Sequence, residues 1–273
     1  MRIFLYYEGD SFLHRLNPLT KLFFALAVLL VLTVIVDPIT PLVVAAVTIL
    51  TIWGLGGIRA PSLGRALAPF ALVAMGVLWT TTLFYVATPG DHLRTLLAFG
   101  PIAFTDEGVA YGLAIAFRIL GVFAASLLFV LTTDPTDFVQ AVVQILGVSH
   151  RFGYGALAAY RFVPLFDSEL ATIRAAHRVR GAGGGGGPLA WSRRLVGYTV
   201  PLLAGGVRKA ERVALAMDAR GFGAYPTRTY YRRSCLGRND LAFAAGALGV
   251  LLLILGSLSR LGWLGQLIPP FLK

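Results

Sequence analysis

Ala176-His177-Arg178-Val179-Arg180-Gly181 and, forty positions later, Ala216-Met217-Asp218-Ala219-Arg220-Gly221 close two long runs rich in Ala, Leu and Val. In each, the helical pattern stops at an arginine followed by glycine, the residue that most readily takes the left-handed conformation closing a helix. The runs extend from near Arg151 to Arg180 and from near Leu189 to Arg220, which predicts rods about 45 Å long. Internal prolines, Pro164 and Pro201, predict a bend in each. Basic residues recur too often in both runs for membrane spans, so they suit a protein-covered layer beside a bilayer. Between them lies Gly181-Ala182-Gly183-Gly184-Gly185-Gly186-Gly187-Pro188, which formally fits G-x-G-x-x-G. No strand pattern precedes it and no acid stands at the expected distance, so it reads as a flexible hinge rather than a nucleotide loop.

Outward from this stretch the chain is membrane. Its 273 residues are 57% hydrophobic and only 14% charged, with mean hydropathy +0.75, outside the range of ordinary soluble domains. Uncharged intervals run from Leu22 to Val36, Pro38 to Ile58, Ala66 to Gly90 and Leu241 to Ser259, and Gly108 to Thr133 is broken only by Arg118. A helix needs roughly 20 residues to cross the hydrocarbon, so these predict five spans, the first short and dependent on Lys21 snorkelling to the interface. The fold class is an all-α integral membrane protein with a coupling module of one short and two long helices.

The net charge of +11 is localised: residues 134–240 carry 15 of the 24 Lys and Arg but 7 of the 13 acids, whereas Asp91 to Glu107 has one arginine and three acids. The positive-inside rule places the basic stretch and the N-terminus in the cytoplasm and the acidic loop outside, in the cell membrane. The chain then divides into a cytoplasmic lead-in (1–20), spans one to four (21–133), the coupling module (134–240), and span five with a tail (241–273). No signal peptide pattern opens it. Cys235, the single cysteine, cannot form an intrachain disulfide.

Local signals place the elements. Asn17 can cap a helix whose first residue is Pro18, and Asp37-Pro38-Ile39-Thr40-Pro41 predicts a tight turn. Asp134-Pro135-Thr136-Asp137 opens a short helix from Pro135 to Leu146, ended by Gly147. The segment from Thr227 to Asn239, with Tyr230, Tyr231, Arg232 and Arg233, reads as an anchor among lipid headgroups. Arg118, an intramembrane charge, requires a partner: a contact in a transport path or with another subunit, or carbonyls and hydroxyls of neighbouring helices, with Thr80 to Thr82 and Ser126 available.

Enzyme chemistry has little to stand on. His14, His92, His150 and His177 lie in separate segments without metal-ligand spacing, and there is neither G-x-S-x-G nor H-E-x-x-H. No catalytic or metal-binding residue is assigned, and nucleic acid is excluded as a partner because no binding motif accompanies the charge. A cation at one helix C-terminus is accounted for by the helix dipole. Two successive rods that each end in arginine and glycine suggest two tips, each presenting a planar five-donor guanidinium to an acidic or polar groove.

These helix ends resemble a known family. Together with Leu13-His14-Arg15-Leu16-Asn17-Pro18-Leu19-Thr20-Lys21 and Arg161-Phe162-Val163-Pro164, they are similar to the transmembrane T component of energy-coupling factor (ECF) transporters, of the EcfT/CbiQ type, over most of the chain. The resemblance implies a non-enzymatic scaffold that joins a membrane-embedded, substrate-binding S component to two ATPase subunits, for uptake of a vitamin or transition-metal ion. ATP and magnesium would be bound by the ATPases, and this chain would hold no cofactor. Carried over by position, the docking signatures are Val179-Arg180-Gly181 and Ala219-Arg220-Gly221. The first departs from the family's Ala-Arg-Gly at Val179. The N-terminal segment departs from Asp-Pro-Arg-Thr-Lys, with Asn17 for Asp and Leu19 for Arg, but asparagine also caps a helix. The competing readings are a self-contained permease with its own substrate path and a membrane-embedded enzyme.

Overall fold

The computed structural model describes residue 7 and residues 9–35, 37–85, 95–99, 102–181, 188–225 and 229–260. The predicted hinge Gly183 to Gly187 and the tail 261–273 lie outside the described residues. In chain order the elements are α1 (Phe12–Arg15), α2 (Pro18–Val34), α3 (Ile39–Gly56), α4 (Ala60–Leu83), β1 (Thr95–Phe99), β2 (Ile102–Thr105), α5 (Asp106–Thr132), α6 (Pro135–Ile145), α7 (His150–Val179), α8 (Pro188–Ala219) and α9 (Arg238–Arg260). By length and composition α3, α4, α5 and α9 can each cross a membrane; α2, apolar but 17 residues long, is the short fifth. The protein is thus an all-α multi-pass membrane protein with one small departure. Inside the segment expected to be a plain acidic loop, β1 and β2 pair antiparallel, with Ala98 opposite Ala103. Strands of five and four residues are too short to stand out against the surrounding hydropathy.

The predicted cap at Asn17 and turn at Asp37 form, and a third cap, at Thr105, joins them. The Asn17 side chain accepts a hydrogen bond from the Leu19 amide at 3.0 Å, with Pro18 in the first turn of α2. Asp37 Oδ2 accepts from the Thr40 amide and hydroxyl at 2.9 and 2.7 Å, tightening the turn into α3. Thr105 caps α5, accepting from the Gly108 amide, and Asp106 and Glu107 follow in its first turn.

The chain forms two compact units, residues 1–141 with 234–273, and residues 142–233. In the first, α5 is central and packs against α2, α3 and α4. It runs antiparallel to α2, and two cations hold that pairing. Lys21 Nζ donates to the Thr132 carbonyl at 2.7 Å, and Arg118 Nη2 donates to the Ile35 carbonyl. Thr132 ends α5 and Ile35 is the C-cap of α2, so each helix supplies a cation to the negative end of the other's dipole. Lys21 therefore does not snorkel. Its side chain is 1% exposed, because an unpartnered helix-end carbonyl lies within reach. Arg118 likewise takes a carbonyl rather than the hydroxyls of Thr80, Thr81 or Thr82, of which the first two bond carbonyls of their own helix.

Small residues set the distances around α5. A Cβ on Gly121 would lie 2.8 Å from Leu32 Cδ1, and one on Gly112 would lie 2.6 Å from Thr82 Oγ1 and 3.1 Å from the Leu78 carbonyl. This is the close approach that lets helices pack in lipid. Deeper along the same pair, Phe70 and Phe123 stack with centroids 3.9 Å apart. Leu13 in α1 and Leu16 just after it are buried in the core with Val28, Leu32 and Leu128. Helix α9 joins through a polar knot: Asp240 Oδ1 accepts from the Asn17 amide at 2.6 Å and Oδ2 from the Gly237 amide at 2.7 Å. Asn17 Nδ2 also donates to Ser234 Oγ and to the Cys235 carbonyl. Asn17 and Asp240 are 6% and 7% exposed, so one buried carboxylate ties the starts of α2 and α9.

Lys21→Met keeps the stem and removes the donor, leaving the Thr132 carbonyl unsatisfied. We expect a loss of about 1–3 kcal/mol, read as a lower thermal midpoint of the detergent-solubilised chain. An unchanged midpoint would remove Lys21 from the account of how α2 and α5 are held.

Candidate functional site

The second unit is built on α7 and α8, which meet in reverse order. His177 touches Tyr198 edge-on at 5.2 Å, Glu169 bonds Lys209 at 2.8 Å, and Arg151 reaches Gly223. The rods are therefore antiparallel. At the middle the side chains of α8 vanish: a Cβ on Gly206 would lie 3.0 Å from the Phe166 ring, and one on Gly205 would lie 3.4 Å from Glu169 Oε1. Phe166 and Glu169 sit where α8 presents only backbone. Pro164 and Pro201 lie inside α7 and α8, so in each helix one carbonyl four residues earlier lacks its usual helical donor.

Both arginine–glycine ends close as the sequence predicts. Gly181 has φ 72° and Gly221 has φ 73°. After α7, the Gly181 amide donates to the Arg178 carbonyl at 3.1 Å. After α8, the Gly221 amide donates to Asp218 and the Phe222 amide to Met217, at 2.9 and 3.0 Å. This pair of bonds is the Schellman closure. Val179, Arg180 and Gly181 are exposed, and so are Ala219, Arg220 and Gly221. Because the rods are antiparallel and each is about 45 Å long, the two guanidinium tips lie at opposite ends of the pair.

The tips differ in what surrounds them. Val179, at the first, is 90% exposed. At the second, Phe222 folds back so that His150 and Tyr154 meet its ring edge-on, at 5.6 and 5.9 Å. Arg151 Nη2 donates to the Gly223 carbonyl at 3.0 Å. A recess of about 500 Å³ opens there, walled by His150, Tyr154, Arg220, Phe222 and Tyr225. Arg220, Tyr154 and Tyr225 bring donor groups to its lining. Nothing in the sequence pattern pointed to His150, Arg151 or Tyr154, since they stand some 70 residues from the tip. The antiparallel return of α8 brings them there.

The remaining singled-out residues are dispersed. His14 pairs with Ser11 Oγ at 2.6 Å and the Tyr7 carbonyl at 2.8 Å, His150 and His177 serve ring contacts, and His92 lies outside the described residues. Arg118 belongs to the first unit and is engaged with Ile35. Among the described residues no group of three or more His, Cys, Asp or Glu could hold a metal ion.

Comparison with known proteins agrees with this architecture. The family CbiQ, described as cobalt transport protein, matches residues 9–231. The chain is 30% identical over 266 residues to the energy-coupling factor transporter transmembrane protein EcfT of Heliobacterium modesticaldum, covering 91% of this chain and 94% of that protein. It is 31% identical over 264 residues to the EcfT of Streptococcus thermophilus, covering 92% and 97%. It is also 29% identical over 250 residues to a putative ABC transporter ATP-binding protein of Bifidobacterium longum, covering 88% of this chain but 31% of that protein.

Gly206→Leu inserts a side chain where the Phe166 ring stands. Overpacking of this kind costs about 1–3 kcal/mol. Amide hydrogen exchange should accelerate in the middle of α7 and α8 and stay unchanged in α2 and α5; equal rates in mutant and wild type would refute the close crossing.

Proposed function

The chain belongs to the CbiQ/EcfT family of energy-coupling factor transporter transmembrane proteins, and from this membership we propose that it is the coupling subunit of an ATP-driven importer. Two ATPases grip the exposed ends Val179-Arg180-Gly181 and Ala219-Arg220-Gly221. Arg180 and Arg220 enter acidic or polar grooves, and closure of the ATPases on ATP changes the angle between α7 and α8. The Gly183 to Gly187 segment and the proline positions Pro164 and Pro201 absorb the change. The motion passes to a membrane-embedded S component that binds the cargo, a vitamin or a transition-metal ion. ATP and magnesium stay with the ATPases. The N-terminus and the second unit face the cytoplasm.

The observation that carries this reading is the pair of tips: two exposed arginines, each followed by a left-handed glycine, at opposite ends of one antiparallel pair. An arginine at a helix C-terminus interacts favourably with the dipole wherever it points. Leaving both guanidiniums exposed at rod ends keeps their five donors available to another chain. The Bifidobacterium longum relative adds support, since a sequence similar to this chain fills about a third of a protein named for ATP binding. That arrangement is expected of two parts that work on each other.

Co-purification in detergent with the candidate ATPases tests the proposal. Arg180→Glu/Arg220→Glu should lose them, because removing one member of a buried charge pair costs about 2–5 kcal/mol of binding. Retention of the ATPases by a folded double mutant would overturn the docking role. Failure of the wild type to hold any ATPase would favour a self-contained permease, to be tested by cargo binding to this chain alone.

A further inference from the structure

The two tips share a sequence signature and differ in support. After Ala219 the chain makes two left-handed turns in quick succession, at Gly221 (φ 73°) and Gly223 (φ 78°). Phe222, between them, is held by the hydrogen bond its amide donates to the Met217 carbonyl and by the rings of His150 and Tyr154. The guanidinium of Arg151, in the first turn of α7, lies against Gly223 so closely that an added Cβ would meet its Nε at 2.8 Å and its Nη2 at 3.0 Å. Arg151 Nη2 donates to the Gly223 carbonyl. The first tip has no equivalent among the described residues: Val179, Arg180 and Gly181 are exposed.

We infer that Arg151 is a positioning residue for the second tip, bracing the turn from Gly221 to Gly223 and thereby setting the direction in which Arg220 leaves the rod. The inference rests on the docking role proposed above. Its physical content is preorganisation: a turn already ordered in the free chain loses less conformational freedom when a partner closes on it. The second tip is then the preformed dock, and the recess beside Arg220 receives an acidic side chain of the ATPase in a fixed direction. A hydrogen bond from a charged donor is among the stronger ones, and here it closes a loop between the start of one rod and the end of the next.

The test uses the full chain in lipid nanodiscs, with Cys235→Ser and a single nitroxide label on a cysteine placed at Ala224 or, separately, at Val179. Arg151→Met should raise label mobility at position 224 and leave it unchanged at 179. Arg151→Lys, which keeps a charged donor group without the planar fork, should restore part of the order, and Gly223→Ala should reproduce the loss. Titration with the ATPases should show about tenfold weaker binding for Arg151→Met, with Arg151→Lys intermediate. Unchanged mobility at 224, or equal increases at both labels, would overturn the brace. Raised mobility at 224 with unaltered ATPase binding would overturn the positioning role. If the wild type binds no ATPase, the docking role falls and the positioning role with it, while the label at 224 still reports whether the brace exists.

Discussion

A backbone carbonyl at the end of a helix has no donor within that helix, and hydrocarbon offers no water to replace one. The first unit meets this constraint by exchange. Helix α5 receives Lys21 from α2, and α2 receives Arg118 from α5. With Leu32 seated against Gly121 between them, the antiparallel register is specified at three points along the pair. Two charges that would be costly alone in a membrane and two carbonyls that would be costly there without a donor become one arrangement. The other spans are placed relative to it, α3 and α4 by packing on α5, and α9 through the carboxylate that binds the start of α2.

The second unit treats the same chemistry in the opposite way. The ends of α7 and α8 close their own carbonyls by turning the chain left-handed at Gly181 and Gly221, so the neighbouring arginines are not needed for that purpose. Between the tips the rods are held by contacts that need no membrane: the Glu169–Lys209 ion pair, Phe166 against Gly206, and Tyr198 against His177 and Arg174. In the first unit Lys21 and Arg118 are consumed by the fold. At the two rod ends of the second, Arg180 and Arg220 stay exposed, where another chain can reach them.

The parts legible in the sequence are those governed by local rules. The cap at Asn17, the stops at Gly147, Gly181 and Gly221, and the lengths of α7 and α8 follow from residues within a turn or two of the event. The five apolar helices follow from composition. The misreadings concern partners distant in sequence. Lys21 was expected at the interface because snorkelling is what an isolated lysine does near a helix end, and only the folded bundle brings the carbonyl of Thr132 to it. Arg118 takes a carbonyl of a neighbouring helix, one of the partners the sequence offers, but only the fold specifies that of Ile35. The two tips looked equivalent since nothing in the signature reveals that α8 returns past the start of α7, where Arg151 waits. The hairpin of β1 and β2 escaped because its strands are shorter than any window that separates a span from a loop.

The glycine contact in the middle of α8 has a mechanical meaning. From Gly206 to Ala219 along α8, and from Phe166 to Val179 along α7, the rise is about 20 Å in each case. In the motion proposed above, a turn about the point where Phe166 rests on bare backbone would carry both arginine ends through arcs of nearly equal radius. Such a fulcrum gives neither end a mechanical advantage: stroke and force at one tip are matched at the other, as in a balance beam rather than a crowbar.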